Sequence, residues 1–264
     1  MGRISKQFTK LDNETALVGF ITAGDPTLEH TVTAMHGLVA GGTDIIELGM
    51  PFSDPEAEGP AIQASSERAL ANGVTLSIVL EMVAQFRQSN TETPIVLMGY
   101  LNAILAHDDF AGRAQTAGVD GLIMVNLPPE ESTDLKQDLA THDIDLVFLI
   151  APTTVPERVT YILNQSSGFV YYVALKGITG ADHLDTDEVA TNLSRIRNQT
   201  DLPVCVGFGI KDEVAARALG AHADGVVVGS ALVNVLAETG NSPDEAASAL
   251  RDFCKTLGRG AKQQ

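Results

Sequence analysis

A chain of 264 residues accommodates two small domains or one large α/β barrel, for which ~250 residues is typical. Its 34 acidic residues against 17 basic ones give a formal net charge of −17, a surface that repels phosphate backbones and anionic membranes and so excludes a nucleic-acid partner or a membrane-surface role. The apolar fraction of 44% and mean hydropathy of +0.10 supply a sizeable core, and no apolar run approaches the ~20 residues of a membrane span.

Short apolar runs alternate with amphipathic ones along the whole chain. Strands are expected at Ala16 to Ile21, Asp44 to Gly49, Pro94 to Met98, Gly121 to Val125, Asp145 to Ile150, Phe169 to Leu175, Pro203 to Phe208 and Asp224 to Val228. Their near-continuous Val/Ile/Leu character marks strands buried on both faces, as in a parallel sheet covered by helices. Asp25-Pro26 offers an N-cap with proline at the first helical position, followed by a stripe of Leu28, Val32, Met35 and Val39. Val189, Leu193 and Ile196 repeat such a stripe, and Ser242-Pro243-Asp244-Glu245 is a capping box that opens the last helix. No linker or composition break divides the chain. Eight strand-helix units in one domain, residues 1–264, predict a single (β/α)8 TIM barrel with extra helices, ahead of a doubly wound sheet.

In such a barrel the working face lies at the C-terminal ends of the strands. The loop after the second predicted strand, Glu47-Leu48-Gly49-Met50-Pro51-Phe52-Ser53-Asp54-Pro55-Glu56-Ala57-Glu58-Gly59-Pro60, strings carboxylates along a Pro/Gly-rich segment. Glu47 ends a buried strand, so it must be desolvated, paired or used in proton transfer. Glu58 is either a solvated loop charge or a second active carboxylate, and Glu56 is expected in solvent. Two carboxylates on one such loop permit a division of labour, one moving protons and one stabilising positive charge. Gly209, Gly229 and Ser230 follow the last two predicted strands, where barrels often seat a phosphate on backbone amides at a helix N-terminus. Ser230 is expected to cap the helix over Ala231 to Ala237. Each glycine alone is better explained as a turn, whereas several at matched positions favour phosphate.

Other chemistries find little support. Gly207-Phe208-Gly209 lacks the third glycine of a dinucleotide fingerprint and lies at the seventh strand. The six histidines show no ligand spacing, so no metal is expected. Cys205 and Cys254 have no CxxC spacing and suit a reducing compartment, and the N-terminus lacks both the apolar core of a signal peptide and a myristoylation motif, with Lys6 at the sixth position. A cytoplasmic location is the expectation.

The chain resembles the tryptophan synthase alpha chain family. The matching elements are Phe20-Ile21-Thr22-Ala23-Gly24-Asp25-Pro26, the Glu47 to Pro55 loop, Gly59-Pro60-Ala61-Ile62-Gln63, Gly177-Ile178-Thr179-Gly180, Gly207-Phe208-Gly209-Ile210 and Gly229-Ser230-Ala231, in family order. The resemblance implies a (β/α)8 lyase that cleaves indole-3-glycerol phosphate to indole and glyceraldehyde 3-phosphate by retro-aldol chemistry. It implies Glu47 as the acid/base glutamate, Glu58 at the position that stabilises the indole N–H, Tyr171 as a substrate contact and Thr179 on a lid of Lys176 to Asp187. Gly180, Gly209, Gly229 and Ser230 match the family's phosphate cradle, and Phe20, Met98, Ile123, Ile150 and Phe208 would wall the indole. It further implies no cofactor in this chain and a beta chain partner that carries pyridoxal phosphate in an alpha2beta2 heterotetramer, contacted through Pro51 to Pro60. Three positions depart from the family's usual residues: Glu58 for Asp, Asn126 for Asp and Ala174 for Ser. The alternatives are a silent chain that chiefly activates a beta chain, and another phosphate-binding barrel enzyme.

Overall fold

The computed structural model describes residues 1–174, 186–207, 209–239 and 242–262. Their strands form one all-parallel sheet: β1 (Ala16–Thr22), β2 (Ile45–Gly49), β3 (Ile95–Gly99), β4 (Gly121–Met124), β5 (Asp145–Val147), β6 (Leu149–Ile150), β7 (Val170–Val173), β8 (Val204–Gly207) and β9 (Gly225–Val228). The order β5-β4-β3-β2-β1-β9-β8-β7-β6 has β5 and β6 at its two ends, and Phe148 alone separates these in the chain. The sheet therefore closes on itself through that residue, a (β/α)8 barrel with its fifth strand divided. The single strand expected over Asp145 to Ile150 splits because closure requires staggered pairing. Residues 145–147 meet β4, residues 149–150 meet β7, and the Phe148 carbonyl accepts the Tyr171 N–H at 3.1 Å.

Strand alternation sorts the core into two shells. Val18, Ile45, Val96, Ile123, Val147, Phe169, Cys205 and Val227 fill the barrel, while their chain neighbours pack outward against the helices. Helix α1 (Arg3–Leu11) closes the N-terminal mouth with Ile4 and Phe8, the latter 6.2 Å from the Phe169 ring. At about 25 cal/mol per Å² of apolar area, this double-sided burial is the main stabilisation of the strands.

The same rim carries a repeated device. Asp44 precedes β2, Asp120 precedes β4 and Asp224 precedes β9, and each closes a two-point cap on the strand preceding its own. Asp44 exchanges bonds with Leu17, Asp120 with Ile95 and Asp224 with Val204: the aspartate N–H donates to the carbonyl and the carboxylate accepts the N–H, all at 2.8–2.9 Å. The second carboxylate oxygen or a second contact takes a cation, Lys262 at Asp44, Arg3 at Asp120 and Arg197 at Asp224. Arg87 also reaches Asp120, at 2.7 Å.

The helices follow the strands, among them α2 (His30–Ala40), α3 (Pro60–Ala71), α4 (Leu76–Arg87), α5 (Leu101–Leu105), α6 (Phe110–Ala117), α7 (Thr133–Thr141), α8 (Pro156–Gln165), α9 (Thr186–Arg197), α10 (Glu213–Gly220), α11 (Ser230–Glu238) and α12 (Pro243–Lys262). Two expected boundaries move. Helix α2 starts at His30, because the Asp25 carboxylate is held by Arg68 at 2.6 and 3.0 Å rather than by helix amides, which leaves Leu28 outside the helix and 37% exposed. Ser230 is the first residue of α11 and Gly229 its N-cap, with no side-chain cap bond. The stripe Val189, Leu193 and Ile196 is buried on α9, and Ser242 Oγ accepts the Glu245 N–H of α12 at 3.4 Å. Among the described residues no single helix is long and apolar enough to cross a membrane.

Candidate active site

Glu47 lies at the centre of β2 with Phe20 of β1 and Val96 of β3 as its register partners. Alternation with Ile45 turns its side chain into the barrel, one layer above the apolar plug. It is 1% exposed, and its Oε2 is buried without a hydrogen-bond partner among the described residues. Burial, reinforced by Glu58, raises its pKa to about 8. A strand fixes this position because the ladder holds the backbone on both sides. The desolvation is the cost of a carboxyl with no cation to meet it among the described residues.

Glu58 stands on the loop between β2 and α3, half-buried, and burial raises its pKa to about 7. Tyr171 of β7 completes the group: its phenol is shifted well upward, by burial first and then by Glu47, Glu58 and Cys205. Gly207 leaves the room its hydroxyl needs, since a Cβ there would come within 2.5 Å of it. Glu56 and Asp54 are exposed, the latter bonded to Ser53 at 2.6 Å.

A narrow cleft runs beside these carboxyls, lined by Phe20, Thr22, Gly49, Phe52, Glu58, Ile62, Ser66, Met98 and Tyr100. Phe20 and Met98 line this cleft, and Ile123 is buried in the barrel interior below. Ile150 is not: it packs outward in the shell under the helices, and Leu149 takes the inward position beside Tyr171. The period-2 count from Val147 gives this assignment, so the sequence carried the signal. Gly229, at the N-terminus of α11, lies against the wall, with a Cβ there only 3.6 Å from Phe20 and Ile62. The first turn of α11, which has no side-chain cap, and Gly209, at φ +72°, offer backbone amides suited to a phosphate. Thr179, Gly180 and Phe208 lie outside the described residues, as does the lid segment as far as residue 185.

Sequence reasoning missed one residue that holds this loop. Tyr100, directly after β3, accepts the Ala57 N–H at 3.0 Å and stacks on Phe52 with ring centroids 4.8 Å apart. Asn126 Oδ1 accepts the Leu101 N–H at 2.8 Å and so opens α5, which the amide does as well as a carboxylate. Among the described residues no group of three or more His, Cys, Asp or Glu could hold a metal ion.

A closed parallel barrel with one buried and one half-buried carboxyl and a helix N-terminus at its C-terminal mouth has the form of a (β/α)8-barrel enzyme suited to a phosphorylated substrate and acid/base chemistry. The tryptophan synthase alpha chain family matches residues 7–262, and the chain belongs to it. Curated relatives named tryptophan synthase alpha chain include that of Chromobacterium violaceum, 56% identical over 88% of this chain and 90% of the relative, and that of Alkalilimnicola ehrlichii, 50% identical over 96% and 93%. The crystal structure of a tryptophan synthase alpha chain from Legionella pneumophila is similar at 42% identity and a TM-score of 0.89, covering 99% of this chain and 97% of that one. A chain in the aminoacrylate-bound tryptophan synthase from M. tuberculosis matches at 33% identity and a TM-score of 0.87, over 99% and 100%. The family reaction is the alpha reaction, lyase cleavage of indole-3-glycerol phosphate.

Proposed function

We propose that Glu47 and Glu58 divide the alpha reaction between them. Retro-aldol cleavage requires a proton delivered to indole C3, a stabilised cationic ring nitrogen, and removal of the hydroxyl proton from the side-chain carbon bonded to C3 as that bond breaks. The proton on Glu47 goes to C3. The resulting Glu47 carboxylate takes the hydroxyl proton while the C3–C bond electrons return to the ring and the aldehyde forms, which restores the acid. Glu58 as carboxylate accepts the ring N–H and holds its positive charge. Both carboxyls are raised by burial, Glu47 further than Glu58, and this supports the order: with Glu47 near 8 and Glu58 near 7, the pair keeps one proton between those values, on the buried strand residue.

Tyr171, Phe20, Met98 and Ile123 hold the indole, joined by Phe208, with Leu149 in place of Ile150. Gly180, Gly209, Gly229 and Ser230 bind the phosphate through backbone amides, and Thr179 belongs to the lid. Residues 1–264 act as one catalytic domain in the cytoplasm, assembled with a beta chain as an alpha2beta2 complex in which pyridoxal phosphate belongs to the beta chain. Pro51 to Pro60, with Phe52 half-buried at the mouth, forms part of that contact.

One observation carries the reading: a fully buried carboxyl at the mouth of the barrel whose Oε2 has no partner among the described residues. Steady-state cleavage of indole-3-glycerol phosphate by Glu47→Gln tests it. A fall of ~100-fold or more in kcat is expected, in the range that general acid/base groups contribute, and wild-type kcat in that variant would refute the assignment.

A further inference from the structure

A loop carboxylate can meet a ring nitrogen only if its backbone is held, and the backbone around Glu58 is held from two sides. On one side the Ala57 N–H donates to the Tyr100 hydroxyl at 3.0 Å. On the other the Glu58 carbonyl accepts Nε2 of Gln63, from the first turn of α3, at 2.8 Å, and the same amide nitrogen lies 3.4 Å from the Pro55 carbonyl. The Glu58 N–H closes the turn onto Pro55 at 3.0 Å. Tyr100 is itself fixed: it is 6% exposed, stacks on Phe52, and precedes Leu101, whose N–H is bonded to Asn126.

We propose that Tyr100 and Gln63 are positioning residues for the cleavage reaction, a two-point clamp on the peptide that carries Glu58. The proposal rests on the reading of Glu58 as partner of the ring nitrogen. Both bonds end on the loop and neither belongs to the sheet ladder, so their loss moves the Glu58 carboxylate while the barrel stays intact. The clamp also shows how the longer glutamate arm reaches a fixed place, since its starting point is pinned on both flanks. A displacement of ~1 Å at a reacting centre costs up to ~100-fold in rate, and a loosened peptide gives a fraction of that.

Tyr100→Phe keeps the ring and its stacking and removes only the hydroxyl; Gln63→Met keeps the length and removes the donor. With the beta chain present, each is expected to lower kcat by about tenfold with the KM for indole-3-glycerol phosphate changed by less than about threefold, and with an unchanged unfolding midpoint. On a Glu58→Gln background neither adds a further loss, because the group being positioned is gone. Wild-type kcat in both single variants overturns the clamp, and so do losses that multiply undiminished on the Glu58→Gln background. Glu58→Gln alone, measured first, separates the two ideas: wild-type kcat there overturns the role of Glu58 itself and the clamp with it, whereas a large loss there with unaffected Tyr100→Phe and Gln63→Met overturns the clamp alone.

Discussion

The burial that suits Glu47 to the proposed proton transfer also makes it a liability to stability. The unfolded carboxyl ionises near 4.5 and the folded one near 8, so between those values the folded state binds more protons and stability falls as pH rises. Glu58, raised to about 7, adds a slope of the same sign at lower pH. Glu47→Gln removes the larger part: its melting temperature is expected above wild type at pH 8, by about 2–4 °C for each kcal/mol relieved, with the gain vanishing toward pH 4.5. Scanning calorimetry across that range checks the sign. In the proposed mechanism the same two groups set the rate profile, since it requires one proton on the pair. A bell-shaped kcat/KM with limbs near 7 and 8 is expected, and Glu58→Gln should abolish the acidic limb. Glu58→Asp separates this account from that of a silent chain. With the Glu58 backbone bonded on both flanks, the shorter arm is expected to bring no gain in kcat, whereas a chain silenced by its glutamate would gain sharply.

At the scale of elements, the barrel divides its labour between its ends. The Asp44, Asp120 and Asp224 caps sit at the N-terminal rim, away from the carboxyl pair, and tie strand starts to α1, α9 and α12. Asp120→Ala strips two arginines and one strand amide of their acceptor, with Arg87 only 10% exposed. A loss of about 3–5 kcal/mol in denaturant unfolding is expected, with kcat within about twofold of wild type. The eight strands and the carboxylate loop were legible in the sequence because both write themselves in local pattern: continuous apolar runs, then a Pro/Gly loop bearing charge. What was not legible depends on closure. The division of the fifth strand at Phe148 follows from stagger, a property of the whole ring, and the one-residue misassignment of Ile150 for Leu149 came from treating the strand end without counting its alternation from Val147. Asp25 looked like a helix cap because its true partner, Arg68, lies 43 residues away. Tyr100 escaped notice for the same reason, since its bond to Ala57 crosses from β3 to the preceding loop.

For the whole molecule, the net charge of −17 makes capture of a phosphorylated substrate depend on local donors rather than on the overall field. Gly209 and the first turn of α11 are placed to supply such donors, and the apolar wall at Phe20 begins within van der Waals reach of Gly229. The proposed phosphate seat, the cleft and the carboxyl pair would therefore form one continuous site across β9, β1 and β2. The proposed role of Glu47 in that site is to deliver the proton to indole C3. Cleavage of indole-3-glycerol phosphate in deuterium oxide, with the beta chain present, tests this most directly. The prediction is indole bearing one deuterium at C3 for each turnover of the wild type, and loss of that turnover by ~100-fold or more in Glu47→Gln. Deuterated indole released by Glu47→Gln at the wild-type rate, or no indole from the wild type, would contradict it.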